Sequence, residues 1–571
     1  MTGDTQYEHL ADGISEQLSH ALASVPNLRV AARTSAFYFK NRQTEIPVIA
    51  EQLGVEALLE GSLRQSGDVV RITVQLVRDD GFHIWSQEYD RPLTNILQLQ
   101  SELASEVLSE LGLEDSHSTA LVTTGRETDY RAYDLYLRGR LELQQRSAEA
   151  YAQAIDLFQQ AIALDADYAL PYTGLADAYS LQLSHGLVRA EQVTGEVDAA
   201  ISHALQVDEH LSEAHASRGL QLFVLNQFSE AEPHLRRAVE LNPNYVNAHV
   251  WLGLDLVMQD RFAEAIDAYL QAQRIDPLDP VLNRNLGGNL MLAGRPDEGF
   301  TYLQRAREIS PGHPLAYEML AGWAVIYGKV PAAIEWSSDG LQRFPENVRL
   351  LTHQGSAHAL QGDWSAASIA FAQARQIDAE DSILLEQQFY LYLATQDLAA
   401  MDQLLIRLGA DHPPFGKNPP FGKRRIVLRW LLIRHLLANN PAQAVALVDA
   451  LEVDEVLICS AFGEPGPRLY LARALQLAGE QQRAESLMDD CLDDVNSLRK
   501  RGGVYPKLLY RMAVTLALAG QIERAASLLQ EAVDSGWRAY RQVRYDPLWN
   551  GLLDQSPFRE IVSALTENPA H

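Results

Sequence analysis

The sequence predicts an α+β protein, with a small N-terminal α/β domain of largely antiparallel sheet followed by an all-α superhelical solenoid of helix pairs. Three observations predict it. Pro243, Pro277, Pro311 and Pro345 recur at a fixed step of 34 residues. Columns of small residues repeat in phase with them, and residues 55–89 alternate apolar and polar side chains at the period of a strand. A chain of 571 residues exceeds one compact core and suits a small domain joined to an extended array.

Along the N-terminal domain, Asp12 is placed to cap a helix in which Ile14, Leu18, Leu22 and Val25 form one apolar stripe. A short strand is expected over Leu28 to Ala32, then a helix from Pro47 to Leu53 that Gly54 ends. Three strands follow. Val55 to Leu63 reaches a turn at Ser66, Gly67 and Asp68; Val70, Ile72, Val74 and Leu76 alternate with Arg71, Thr73 and Gln75; Asp79, Asp80 and Gly81 turn the chain into Phe82 to Tyr89. Leu97, Leu103, Val107, Leu108 and Leu111 mark an amphipathic helix that covers the dry face. The tract from Glu114 to Thr128, rich in Ser, Thr, Gly and charge, reads as a domain boundary.

The 34-residue period belongs to tetratricopeptide helix pairs. Ala238, Ala272, Ala306, Gly340 and Ala374 form one column of small residues, Ala231, Ala265, Gly299, Ala333 and Ala367 a second, and Gly219, Gly253, Gly287, Ala321 and Gly355 a third. Small residues let two helices approach, while Leu235, Tyr269, Leu303 and Phe371 fill the space between them; Ser337 is the weak member of that column. Proline follows the second helix of each pair because it cannot continue the hydrogen-bond ladder. An earlier unit carries Ala154, Phe158 and Ala161 in the same places, and about nine extra residues near Leu181 to Glu191 must project as longer helices or loops. The period fades beyond Ser382. Asp411 to Lys423, with its repeated Pro-Pro-Phe-Gly-Lys, reads as an irregular loop. Helical cadence resumes in two late units, and Trp549, Leu552, Leu553, Phe558 and Ile561 supply apolar surface to seal the last repeat. The expected domains are therefore 1–113, a linker 114–129, repeats 130–381, a degenerate repeat and loop 382–423, and degenerate repeats with a cap over 424–571.

Composition narrows the function. A formal charge of -28 repels nucleic-acid phosphates, so direct nucleic-acid binding is not expected. Walker, GxGxxG, HExxH, EF-hand and GxSxG motifs are absent. His203, His210 and His215 fall where repeat packing already accounts for them, so neither a metal nor a cofactor is expected and no catalytic residue is assigned. Cys459 and Cys491 lack zinc spacing; they are buried thiols or a single disulfide, and buried thiols are the favoured reading because helical repeats need no staple. No transmembrane segment is expected: Arg424 to Leu437 is apolar, but Arg429, Arg434 and His435 interrupt it, and one more packing helix is the simpler reading.

The strings Ala11-Asp12-Gly13, Arg29-Val30-Ala31-Ala32-Arg33-Thr34-Ser35, Leu59-Glu60-Gly61-Ser62-Leu63-Arg64 and Ile84-Trp85-Ser86-Gln87-Glu88-Tyr89-Asp90-Arg91 resemble a TolB-amino-terminal-like (FlgO-like) domain. Asp546-Pro547-Leu548-Trp549 resembles the closing segment of bacterial proteins that join this domain to tetratricopeptide repeats. The resemblance implies attachment to an upstream effector, such as a winged-helix domain or a class III adenylate cyclase. Such domains open with a hydrophobic strand before a Gly-Asp turn. Gly3 and Asp4 match the turn without that strand, so a shortened regulator, and a homodimer through the open edge, are expectations of the resemblance.

Stacked repeats expose one face of each first helix. In the 34-residue register that face carries Glu213, Leu220 and Phe223, then Asn247, Val250, Leu254 and Met258, then Arg284 and Met291, Glu318, and Arg349. It is mixed and largely apolar, suited to an amphipathic helix or extended protein segment, although several of these side chains would equally serve as packing between repeats. The expected function is a non-catalytic interaction or sensory scaffold module of a bacterial regulatory protein. The alternatives are the C-terminal part of a transcription regulator or adenylate cyclase, and an envelope assembly factor. A cytoplasmic location is expected, or a periplasmic one if an anchor or export segment lies upstream.

Overall fold

Alternation in the N-terminal residues becomes a three-stranded antiparallel sheet, β1 (Ala57–Ser66), β2 (Val69–Arg78) and β3 (His83–Pro92), in the order β1-β2-β3. In this computed structural model, residues 14–15, 18–19, 22–23, 25, 28–40, 42–66, 69–92, 96–113, 129–143, 145–408, 421–450, 460–461, 464–500, 505–537 and 545–567 are described. Leu63, Ile72 and Tyr89 stand in one row across the sheet, and this dry face packs on Leu103 and Val107 of the helix Ile96–Glu110 and on Ile14, Leu18, Leu22 and Val25. The wet face is polar, with Arg71 donating two bonds to Asp90 at 2.8 and 2.7 Å. Gly54 takes the left-handed conformation, φ 65°, that ends the helix Ile46–Leu53.

Two expectations fail locally. Leu28 to Ala32 is extended but joins no strand ladder, since its backbone is used elsewhere: the Ala32 N–H donates to the Ile275 carbonyl at 2.7 Å. The helix expected only after Lys423 already begins at Phe421. The turn residues Gly67 and Asp68, the cap Asp12, the 114–128 linker and residues 411–420 of the expected loop lie outside the described residues.

From Tyr130 onward the chain is helix pairs, first Tyr130–Leu143 with Ala148–Leu164, then Ala169–Ser184 with Ala190–Val207, Ser212–Val224 with Phe228–Leu241, and Val246–Met258 with Phe262–Ile275. The inserted residues of the second pair are absorbed as length: its helices run 16 and 18 residues. A Cβ placed on Gly219 would stand 2.4 Å from Leu235 Cγ, and one on Gly253 would stand 2.8 Å from Tyr269 Cζ. The small column therefore sits directly on the large column of the partner helix, at a distance no side chain tolerates. By its internal packing the chain forms two compact units, Met1–Leu286 and Gly287–His571.

In the first unit the N-terminal domain is docked on the turns between repeats. Asn244 Nδ2 donates to the carbonyls of Ala23 and Leu28 at 2.6 and 3.1 Å. One repeat later, the Ser35 N–H donates to Asp276 Oδ1 at 2.9 Å, the Ser35 hydroxyl bonds the same oxygen, and the Leu278 N–H donates to Ser35 Oγ at 2.8 Å.

In the second unit the pattern continues through Pro296–Ile309, Leu315–Ile326 with Val330–Arg343, and Val348–Gln361 with Trp364–Ile377. Phe421–Leu437 is a packing helix: Trp430 is fully buried and stacks on Phe389 at 4.5 Å, and buried Arg429 pairs with Glu386 at 2.6 Å. The late pairs are Pro467–Ala478 with Gln481–Lys500 and Pro506–Leu518 with Ile522–Asp534; Gly479 and Gly520 make their turns at φ 85° and 75°. Asp546 locks the end of the chain, accepting from Tyr470 at 3.1 Å and Tyr510 at 3.4 Å, while Trp549 Nε1 donates to Tyr510 at 3.0 Å. Cys491 is buried and disulfide-bonded, which corrects the buried-thiol expectation; its partner lies outside the described residues. This bond falls beyond Ser382, where the in-phase columns fade and the premise that packing needs no staple stops applying.

If the Gly219–Leu235 approach fixes the pair, Gly219→Val should lower stability by about 1–3 kcal/mol through overpacking. Urea unfolding followed by circular dichroism measures it, with Gly195→Val as the control, because Gly195 also lies inside a helix and a Cβ there meets nothing within 4 Å.

Candidate partner-binding face

The first helices of successive pairs present the residues that register assigns to an open face, and the structure sorts them into three groups. In the first unit Met258 is exposed, and Phe223, Asn247, Val250, Leu254 and Arg284 are partly exposed. Leu220, at 3% exposure, and Met291, at 0%, are packing residues: Met291 lies against Gly299, so neither offers surface to a partner. The third group is charged and already engaged. Glu318, in the second unit, is buried, accepts from Asn347 Nδ2 at 2.8 Å and lies 3.6 Å from Arg349, which is itself exposed. Apolar periodicity cannot tell a wall from a seam, because both lie on one side of the same helix.

Arg284 makes neither hydrogen bond nor ion pair among the described residues. Burial, with Arg146 nearby, holds its guanidinium below the usual value while Asp279 opposes this. A half-buried cation without a partner is costly unless something anionic or hydrogen-bonding meets it.

Glu213 belongs to a buried polar knot that sequence reasoning did not isolate. Ser212 Oγ donates to it at 2.8 Å, and Ser217 Oγ donates to Asp177 Oδ1 at 2.6 Å. Asp177 lies at 4% exposure. Burial pushes its carboxyl up to about 7, against the pull of the Ser217 bond and Arg140 and with a contribution from Glu213. The Tyr245 phenol is also raised, chiefly by burial and then by Asp177, and its hydroxyl has no hydrogen-bond partner among the described residues. In the second unit, burial and Arg349 lower His353 to about 4.

None of this is nucleophile–base geometry. His203 bonds the Ala166 carbonyl at 2.9 Å and stacks on Tyr172, His215 bonds the Glu209 carbonyl at 3.2 Å, and among the described residues no group of His, Cys, Asp and Glu stands ready to hold a metal. Ser35, Asn244 and Asp276, which hold the N-terminal domain, were also missed. Their only signal was polarity beside the proline column and the Arg33-Thr34-Ser35 string.

Residues 217–280 match the tetratricopeptide repeat family model. Putative adenylate cyclase 3 of Rhizobium meliloti (strain 1021) is 30% identical over 185 residues, which is 31% of this chain and 30% of the relative, so the match spans under a third of either protein. Among solved structures, YrrB, described as a tetratricopeptide protein with an unusual peptide-binding site, is 20% identical over 33% of this chain and 97% of its own, with a TM-score of 0.29. PilF of Pseudomonas aeruginosa is 20% identical over 37% of this chain and 96% of its own, with a TM-score of 0.31.

Asp177 yields a pH prediction. A carboxyl whose pKa is raised on folding stabilises fully below its unfolded value near 3.9, and that contribution is lost as pH rises to about 7. Urea midpoints should therefore fall as pH is raised from 5 to 8, and Asp177→Asn should flatten a measurable part of that slope.

Proposed function

We propose that this chain is a non-catalytic protein–protein interaction or sensory scaffold module of a bacterial regulatory protein, and that the first-helix face of its first unit holds a protein segment. One observation carries the reading. Helix pairs packed in register leave Phe223, Val250, Leu254 and Met258 at least partly uncovered, and the same register carries Arg284, a half-buried cation with no hydrogen bond or ion pair among the described residues. An amphipathic helix or extended segment with an apolar edge and one acidic side chain fits that surface. The repeat match at residues 217–280, which includes most of these positions, supports this.

Regulation enters through the relative. Similarity to a putative adenylate cyclase over 185 residues supports a second reading, in which this chain is the C-terminal part of a cyclase or transcription regulator whose activity lies upstream. Envelope assembly is the weaker alternative. Among the described residues no helix is long and apolar enough to cross a membrane. Set against the cytoplasmic expectation, the disulfide at Cys491 favours an oxidising compartment, in which such bonds persist.

Each reading has its own test. Arg284→Glu with Leu254→Asp should weaken binding of a partner identified by crosslinking at least tenfold while leaving the circular dichroism melt in place; unchanged affinity refutes the face. Met291 is not a suitable target, because substituting a fully buried side chain would disturb packing. For the second reading, an immunoblot of source cells with antibody against the repeats should show a band well above 63.5 kDa, whereas a band at 63.5 kDa refutes it.

A further inference from the structure

The N-terminal domain meets the repeats through a contact whose central group is a buried acid, Asp276. Asp276 lies at the end of the helix Phe262–Ile275 and is 3% exposed. Its Oδ1 accepts from the Ser35 N–H at 2.9 Å and from the Ser35 hydroxyl, which itself accepts from the Leu278 N–H at 2.8 Å. Thr34, on the same helix as Ser35, also favours the ionised carboxyl. No Lys, Arg or His pairs with it among the described residues. The charged group that acts on it from its own turn is Asp279, of like sign, while Arg33, from the docked helix Arg33–Phe37, lies over the Phe37 ring at 4.7 Å. Around this centre the contact is ordinary backbone and amide bonding: Ala32 to Ile275, and Asn244 to Ala23 and Leu28.

We propose that the Ser35–Asp276 contact is a proton-sensitive latch that decides whether the N-terminal domain stays docked on the repeats. An ionised carboxylate buried there gives up its hydration and faces Asp279 with only hydroxyl and amide donors in return. Undocked, the same carboxyl lies on a turn between repeats and regains water. Protonated, it stays buried at little cost. The previous repeat has a neutral amide at the same register position, Asn242, 34 residues earlier, so the equivalent turn accommodates an amide.

The sign follows from linkage. In the docked state burial, with Asp279, raises the Asp276 carboxyl to about 6, against an ordinary value near 3.9. Docking is then tightest below the ordinary value, weakens as pH rises to about 6, and is level above it. The latch equilibrium should change by roughly 100-fold across that window.

Hydrogen exchange of the full chain, read by mass spectrometry from pH 5 to 8 and corrected for intrinsic rates, tests this on peptides covering residues 30–38, with residues 262–275 as an internal control. The expected result is an opening constant that rises several-fold from pH 5 to 6.5 and then levels. Asp276→Asn should hold the segment closed with no pH dependence. A flat wild-type profile overturns the latch. So does an Asp276→Asn variant that keeps the dependence, which would place the titrating group at Asp177 or Asp255, whose carboxyls burial also raises.

Discussion

The close approach of two helices at a position without a side chain is the constraint on which the rest of the fold depends. Where Gly219 meets Leu235, Gly253 meets Tyr269 and Gly355 meets Phe371, an added Cβ would fall within 3 Å of the partner side chain. Each pair can therefore adopt one register only. With the register fixed, the second helix ends at a set place, the proline follows it, and the next first helix starts in phase. The partner face, the inter-repeat turns and the docking of the N-terminal domain all inherit their positions from this contact.

Burial of charge is the second theme of the molecule. Asp177, Asp255 and Asp276 are acids raised by burial, and all three lie in the first unit. Packing that pays for itself in apolar contacts carries these groups as a cost, and a cost that depends on protonation makes the unit responsive to its surroundings. The second unit handles charge differently: buried Arg429 has Glu386, and Asp546 has two phenols. Its cross-link at Cys491 adds a covalent tie in the region where repeat periodicity is weakest.

Much of the fold was legible because it is periodic. Columns such as Ala231, Ala265 and Ala333 report helix contacts directly, and the alternation of Val70, Ile72 and Val74 reports the dry face of a sheet. Non-periodic contacts were not legible. Nothing in the order of residues says that Ser35 meets Asp276, 241 positions away, or that Leu28 to Ala32 spends its backbone on repeat turns in place of a sheet. The candidate face was readable as a side of a helix, and on that side Met258 is exposed and Leu254 partly exposed. Leu220 and Met291 are buried on that same side, which periodicity alone does not reveal.

A photoreactive amino acid placed in turn at Met258, on a first helix, and at Arg237, on a second helix, tests most directly where a partner is held. Both positions are exposed, so access alone does not distinguish them. Illumination of source cells should give a discrete heavier adduct from position 258 and none from position 237. An adduct from position 237 alone, or equal adducts from both, would contradict the assignment of the first-helix face.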